Sequence, residues 1–183
     1  MSATTFPNPF SLLRNIETRS QEKALGIPQQ MEIRRTWSGI GFRVGENYLV
    51  SAIDEVSEIL TYPSMTKVPS QVSWIRGIAN IRGVLLPIMD FSGVIDGSAS
   101  RLNKKSRVLV IQHEDMNTGL VVDEVFGMRH FFDEEKSPET PSVSDSLGEH
   151  LKGAYKQGER HWGIFSMRHL AKSEKFKDIA VQN

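Results

Sequence analysis

Residue types that do chemistry are present in this chain, but their spacing argues against catalysis. His113, His130, His150, His161 and His169 are scattered, and no two stand at the i, i+4 spacing that puts imidazoles on one helix face for a metal. Asp54-Glu55 and Asp123-Glu124 are adjacent carboxylates. Neighbours at a strand end point apart, and a pair that occurs twice suits turns whose acids cap exposed amides. Ser20 and Lys23 have the spacing of a nucleophile and its base, yet they lie in a polar segment with nothing to desolvate the lysine. The glycines Gly39, Gly41 and Gly45 resemble a dinucleotide-binding turn by letters only, because the third comes one residue late and no helix pattern follows. The chain has no cysteine, which excludes disulfides, thiolate metal sites and cysteine nucleophiles. No catalytic residue, metal or cofactor is expected, and the chain reads as a non-enzyme.

What elements would position a binding surface instead? The 183 residues carry 22 Lys+Arg against 22 Asp+Glu, and this balance disfavours a general nucleic-acid binder. The basic cluster Arg101, Lys104, Lys105 and Arg107 has no interleaved aromatics on which bases could stack. Apolar runs such as 84–89 and 108–111 fall far short of the ~20 residues that span a bilayer. The first residues lack the basic start and apolar run of a secretion signal. A cytoplasmic protein without membrane insertion is expected.

Residues 1–38 read as an N-terminal extension with one helix, capped by Ser11 and carrying Leu12, Leu13, Ile16, Lys23 and Ala24, which is either a solvated leader or a docking arm for another element or a partner. Short strand patterns then follow at 40–44, 48–53, 56–60, 83–90, 107–111, 120–122, 125–126, 153–155 and 162–165. A helical turn is expected at 74–76, a linker from 93 to 106 and a long loop at 133–148. Pro87 suits only an edge or a bulge, and Ser166 is expected to cap a final helix carrying Leu170, Ala171 and Ile179.

The strand patterns repeat. Residues 52–56 are echoed at 121–125, an offset of 69, and residues 76–79 at 152–155, an offset of 76. Short strands in two similar blocks predict a mainly β protein of two small barrels. The expected division is a first barrel at about 39–97, a linker at 98–106 and a second barrel at about 107–165, with exchange of strands at the ends allowed. A C-terminal helix and tail would occupy 166–183.

The remaining candidate is a surface. In the segment from Gly77 to Gly83, Asn80 and Gly83 are the residue types of a tight turn. Such a turn would project Arg82 from a hairpin tip with its fork of donors free for a partner. The alternative is an intramolecular pair, for instance with Asp90. The alternation at 56–59 could present Val56 and Glu58 on one face of an edge strand, or serve core packing alone.

These motifs resemble those of the CheW-like adaptor family. The resemblance rests on Phe42-Arg-Val-Gly45, on Tyr48 through Ile59, on Val68-Pro69, on Trp74 through Asp90 with its Gly77, Asn80, Arg82, Gly83, Pro87 and Asp90, and on Gly119 through Val125. It covers roughly Gly39 to Leu170, and within the family it points to the branch serving type IV pilus twitching motility. It implies two five-stranded SH3-like β-barrels sharing an apolar seam, with short helices, and a non-enzymatic scaffold. Its implied partners are the regulatory domain of a CheA-type histidine kinase and the cytoplasmic tip of methyl-accepting chemoreceptors. The chain would be monomeric alone and part of a larger array recruited to the inner face of the membrane. The partner-binding positions it implies are Val56, Glu58, Ile59, Gly77, Asn80, Arg82, Gly83, Val108, Gly119 and Val125. The competing class is a stand-alone SH3-like peptide binder, which needs an aromatic-lined groove; Trp37, Trp74 and Trp162 lie far apart in sequence.

Overall fold

A computed structural model describes residues 8–23, 35–69, 72–113, 116–173 and 176. They divide into two units, 1–34 and 35–183.

The described residues of the first unit form a helix, α1 (Pro9–Lys23). It starts two residues before the expected cap. Asn8 caps it instead, accepting the Phe10 N–H at 3.0 Å on its side chain and the Ser11 N–H at 2.9 Å on its carbonyl. Pro9 occupies the first helical position, where a missing N–H costs nothing. Ala24, expected in the helix, lies outside the described residues.

The second unit is built from strands whose apolar runs are buried on one or both sides. In chain order they are β1 (Thr36–Val44), β2 (Asn47–Ala52), β3 (Glu58–Thr61), β4 (Ile75–Ile81), β5 (Val84–Asp90), β6 (Arg107–His113), β7 (Met116–Val122), β8 (Glu124–Phe132), β9 (Lys136–Ser137), β10 (Leu151–Gln157) and β11 (Arg160–Phe165). They form two SH3-like sheets, one in the order β8-β1-β2-β11-β10-β9 and the other β3-β6-β7-β5-β4.

The two sheets are related by the duplication. Each is antiparallel except for one parallel pair, β2 with β11 in one and β7 with β5 in the other. The offsets of 69 and 76 carry one set of pairings onto the other: Ile164 opposite Val50 becomes Ile88 opposite Gly119. Likewise Met128 opposite Ile40 becomes Ile59 opposite Leu109. Both copies bend at a bulge beside a glycine with positive φ, Gly77 at 144° and Gly153 at 146°.

The sheets do not follow the expected division at 39–97 and 107–165. One sheet takes β1 and β2 together with β8 to β11, and the other takes the middle segment β3 to β7. The chain crosses between them at the two Asp-Glu pairs. The carboxylates tie down these crossings: Glu55 accepts the Met167 N–H at 2.7 Å and the Ser51 hydroxyl at 3.1 Å, while Asp123 accepts the Gly45 N–H at 2.7 Å. Amide capping is thus what one acid of each pair does, while Asp54 pairs with Arg168 and Glu124 with Arg43 and Lys105.

Burial explains the strand patterns. In β6, Val108 and Val110 face the interior of their own sheet with Leu86 and Ile88, whereas Leu109 and Ile111 face a seam shared with the other sheet. A strand covered on both faces reads as a continuous apolar run. At the seam Phe42, Phe91 and Phe165 lie 5.0 to 6.4 Å apart between ring centroids. Trp37 and Trp162 belong to the aromatic interior of the first sheet, with Phe131 and Tyr155.

Several local expectations differ. Residues 75 and 76 open β4 rather than forming a helical turn. The linker begins with a helix, α2 (Phe91–Asp96), capped by Asp90 and ended by Gly97 at φ 78°. The loop at 133–148 holds β9 and a short helix, α3 (Asp145–Gly148). Pro87 is tolerated because β5 meets β7 only from Ile88 onward. The last helix, α4 (Met167–Lys172), is capped by Ser166 as expected, through the His169 N–H at 3.2 Å; Ile179 lies outside the described residues.

Candidate interaction surface

β4 and β5 are joined by a two-residue turn, Arg82-Gly83, with φ of 52° and 89°. Paired left-handed residues match the twist of a hairpin, and Asn-Gly or Gly-Gly normally fill them because a Cβ there is penalised. The Gly83 N–H donates to the Asn80 side-chain oxygen at 2.8 Å, which pins the turn. Arg82 is the one non-glycine residue with positive φ among the described residues. Holding an arginine in this conformation costs about 1 kcal/mol that glycine would avoid. Its side chain is 80% exposed, so core packing does not account for that cost.

The Arg82 guanidinium donates to Glu58 Oε1 at 2.8 Å. β3 and β4 stand at opposite ends of their sheet order, and this bond links them where the sheet curls round. Glu58 keeps a third of its side-chain surface exposed. Next to them in the chain are exposed apolar residues, Ile59 on β3 and, directly after the turn, Val84 and Leu85, the last at 68%. A forked cation and a carboxylate at the hairpin tip, with exposed apolar residues on the flanking strands, suit contact with a partner.

Of the ten positions expected to bind partners, Glu58, Asn80, Arg82 and Gly83 come together at this turn, and Ile59 is exposed on β3 next to Glu58 in the chain. Val56 and Val125 occupy equivalent places in the two copies, each half-buried and packed against the shared seam. Val108, Gly119 and Gly77 are buried in this chain, so their side-chain positions are not open to a partner directly. A Cβ on Gly119 would lie 2.6 Å from both Ile88 Cδ1 and Val108 Cγ1, so these residues fit one another inside the barrel. A Cβ on Gly77 would run into the Thr66 carbonyl oxygen, where β4 bridges to residue 66.

Asp90, considered as a partner for Arg82, is engaged elsewhere. It is buried, paired with Arg76, and accepts the Ser100 N–H at 2.9 Å and hydroxyl at 2.7 Å. Sequence reasoning missed Val84 and Leu85, which read as ordinary strand residues. The signal was there, since both follow a turn glycine and alternation would have put one of them outward. The five histidines are not wholly dispersed: His150 and His169 meet edge to face at 5.0 Å. No cluster of three or more metal-ligating side chains occurs among the described residues, and no helix there is long and apolar enough to cross a membrane.

Comparison with known proteins agrees with this architecture. The solved structure of the scaffolding protein TtCheW from Thermoanaerobacter tengcongensis superposes with a TM-score of 0.64 at 23% identity, covering 77% of this chain and 96% of that one. Protein PilI of Pseudomonas aeruginosa is 43% identical over 173 residues, 94% of this chain and 97% of its own. The chemotaxis protein CheW of Thermotoga maritima is 26% identical over 121 residues, 66% of this chain and 78% of its own. The model of the CheW-like domain matches residues 38–175, and the chain belongs to that family.

Proposed function

We propose that the protein is a non-enzymatic adaptor that couples methyl-accepting chemoreceptors to a CheA-type histidine kinase, in a chemosensory array governing type IV pilus twitching motility. The observation that carries this reading is Arg82, kept at an exposed hairpin tip in a backbone conformation that disfavours it. Strain retained on a surface, with no packing return, marks a side chain used by a partner. The similarity to PilI supports the pilus branch. The adaptor acts as a bracket: the Glu58–Arg82 rim with Ile59, Asn80 and Gly83 meets one partner, and the two-barrel body holds the other. Val56 and Val125, with the buried Gly77, Val108 and Gly119, act through the shape of the barrels beneath. Signalling follows if receptor states bind the bracket unequally, because only differential affinity moves a kinase equilibrium.

The stand-alone peptide binder is disfavoured by where the tryptophans lie. Trp162 is buried, Trp37 stacks on Tyr155 at 5.5 Å, and Trp74 packs against the seam. The test is size-exclusion chromatography of the chain with a kinase regulatory domain, with a receptor cytoplasmic fragment, and with both. Co-elution with each alone and a ternary peak are expected. Elution of the chain apart from both partners would overturn the reading.

A further inference from the structure

The contacts assigned so far lie on β3 to β5, and a group of side chains on the other sheet is used by none of them. Tyr48 of β2, Phe126 of β8 and Trp162 of β11 form a cluster of three rings with centroids 5.4 to 5.6 Å apart. Two arginines stand over it. The guanidinium carbon of Arg129 on β8 is 5.3 Å from the Trp162 ring and 5.8 Å from the Phe126 ring, and that of Arg160 on β11 is 4.9 Å from the Tyr48 ring. Trp162 is buried, Tyr48, Phe126 and Arg129 are half-buried, and Arg160 is exposed.

The backbone makes room for Arg129. A Cβ on Gly41 of β1 would lie 2.9 Å from Arg129 Cγ and 3.0 Å from the Trp162 ring. The Arg129 Nε is nonetheless buried without a hydrogen-bond partner, and neither arginine has an ion pair or hydrogen bond among the described residues. The rings attract the cations but leave their forked donors without an oxygen acceptor, and an unmade hydrogen bond at a charged group is costly. Folding does not demand this arrangement, because the duplicated sheet solves the same problem differently. The offset of 69 carries Arg129 onto Leu60 and Gly41 onto Val110, and that of 76 carries Trp162 onto Leu86; there the aliphatic side chains pack together. Phe126, Tyr48 and Arg160 fall on Ser57, Asn117 and Val84, so the second copy has neither rings nor cations at this place.

We propose that Arg129 and Arg160 form a binding site for an acidic segment of a protein partner. One carboxylate takes the Arg129 fork, whose paired donors match its two oxygens, and a second meets Arg160. An apolar side chain between the two acids lies against Tyr48 and Phe126. Nucleic acid is the poorer occupant, because Tyr48 and Phe126 stack on one another and Arg160 lies over Tyr48, so these ring faces are already engaged. An anionic lipid surface is disfavoured by the exposed Glu46 and Glu159, close in the chain to Tyr48 and Arg160, and by a formal net charge of zero.

The buried Nε makes the test direct, since a proton shielded from water exchanges slowly and gives a resolved nitrogen-15 signal. Full-length labelled protein is titrated at constant ionic strength with the peptide acetyl-Glu-Leu-Glu-amide, with acetyl-Gln-Leu-Gln-amide as the neutral control. The acidic peptide is expected to move the Arg129 Nε–H and Trp162 indole signals saturably, and the neutral one to leave them in place. R129L, which installs the residue of the second copy, should keep the parent's backbone spectrum and lose the Trp162 response. R129K, which keeps the charge without the fork, and R160Q should each weaken binding at least threefold. An equal response to the neutral peptide overturns the proposal, as does a Trp162 response that survives in R129L. Inorganic phosphate saturating the same signals at a tenfold lower concentration would make this a phosphate site instead. Arg129-dependent sedimentation with phosphatidylglycerol vesicles would make it a membrane contact, and either result overturns the assignment to a protein carboxylate.

Discussion

Replacing Arg82 separates stability from binding, because the two depend on different properties of the residue. Arg82 sits at φ 52°, and glycine there removes a left-handed penalty of about 1 kcal/mol. The same change loses the ion pair to Glu58, which joins an arginine side chain 80% exposed to a carboxylate 33% exposed. Such a pair is worth about 0.3–1 kcal/mol after solvent screening. The terms nearly cancel, so R82G should leave the melting temperature within about 3 °C of the parent. Arg82→Ala keeps the strain and loses the pair, and should be less stable than R82G by about 1 kcal/mol. Both variants lose the forked donor and should bind the partner that uses the rim about 30-fold more weakly, a loss of about 2 kcal/mol. Thermal denaturation by circular dichroism and titration calorimetry against the kinase domain and the receptor fragment read the two quantities separately. If R82G binds both partners at full strength, the strained arginine is not the anchor. If R82G melts well below R82A, the assignment of backbone strain is wrong.

Phe91→Ala should cost about 3–5 kcal/mol, because the ring is fully buried between Phe42 and Phe165 at the seam. Denaturant melts should show a single transition shifted to lower midpoint, whereas two transitions with one unshifted would mean the sheets fold independently. Gly119→Ala pushes against the flexible ends of Ile88 and Val108 and should cost about 1–3 kcal/mol. Gly77→Ala meets backbone at φ 144° and should cost more, and the reverse ranking in urea would refute the packing argument. Burial pushes the Tyr155 phenol above its ordinary value of 10.0, with the charge of Asp133 adding to it. The folded state then holds this proton more tightly than the unfolded chain. Its contribution to stability is complete below pH 10 and is lost as pH rises through the folded value. In an alkaline absorbance titration, Tyr155→Phe should remove the latest tyrosinate step.

Much of the architecture was legible because it rests on local pattern. The offsets of 69 and 76 between echoes are the same offsets that superimpose the strand pairings. Ser166 capped its helix where its type suggested, and one acid of each Asp-Glu pair, Glu55 and Asp123, holds a backbone amide. The helix after Asp90 was overlooked although both its cap and its terminal Gly97 were present in the sequence, because Ser and Gly around it read as linker. β8 was expected as two residues and runs for nine, since Gly127 interrupts the alternation as a bulge while the strand continues on the far side.

From the sequence alone came the composition of the answer: two related β-modules without cysteine or catalytic spacing, and a tight turn that lifts Arg82 into solvent. Torsional preference and hydrophobic alternation act over a few residues, so they can be read along the chain. Which strands share a sheet could not, because the chain crosses between barrels at Asp54-Glu55 and Asp123-Glu124, and pairing energy depends on neighbours dozens of residues away. Only the folded chain sorted the ten candidate positions, leaving Arg82, Glu58 and Ile59 at an open rim while the close fit of Val108 against Gly119 took both into the interior.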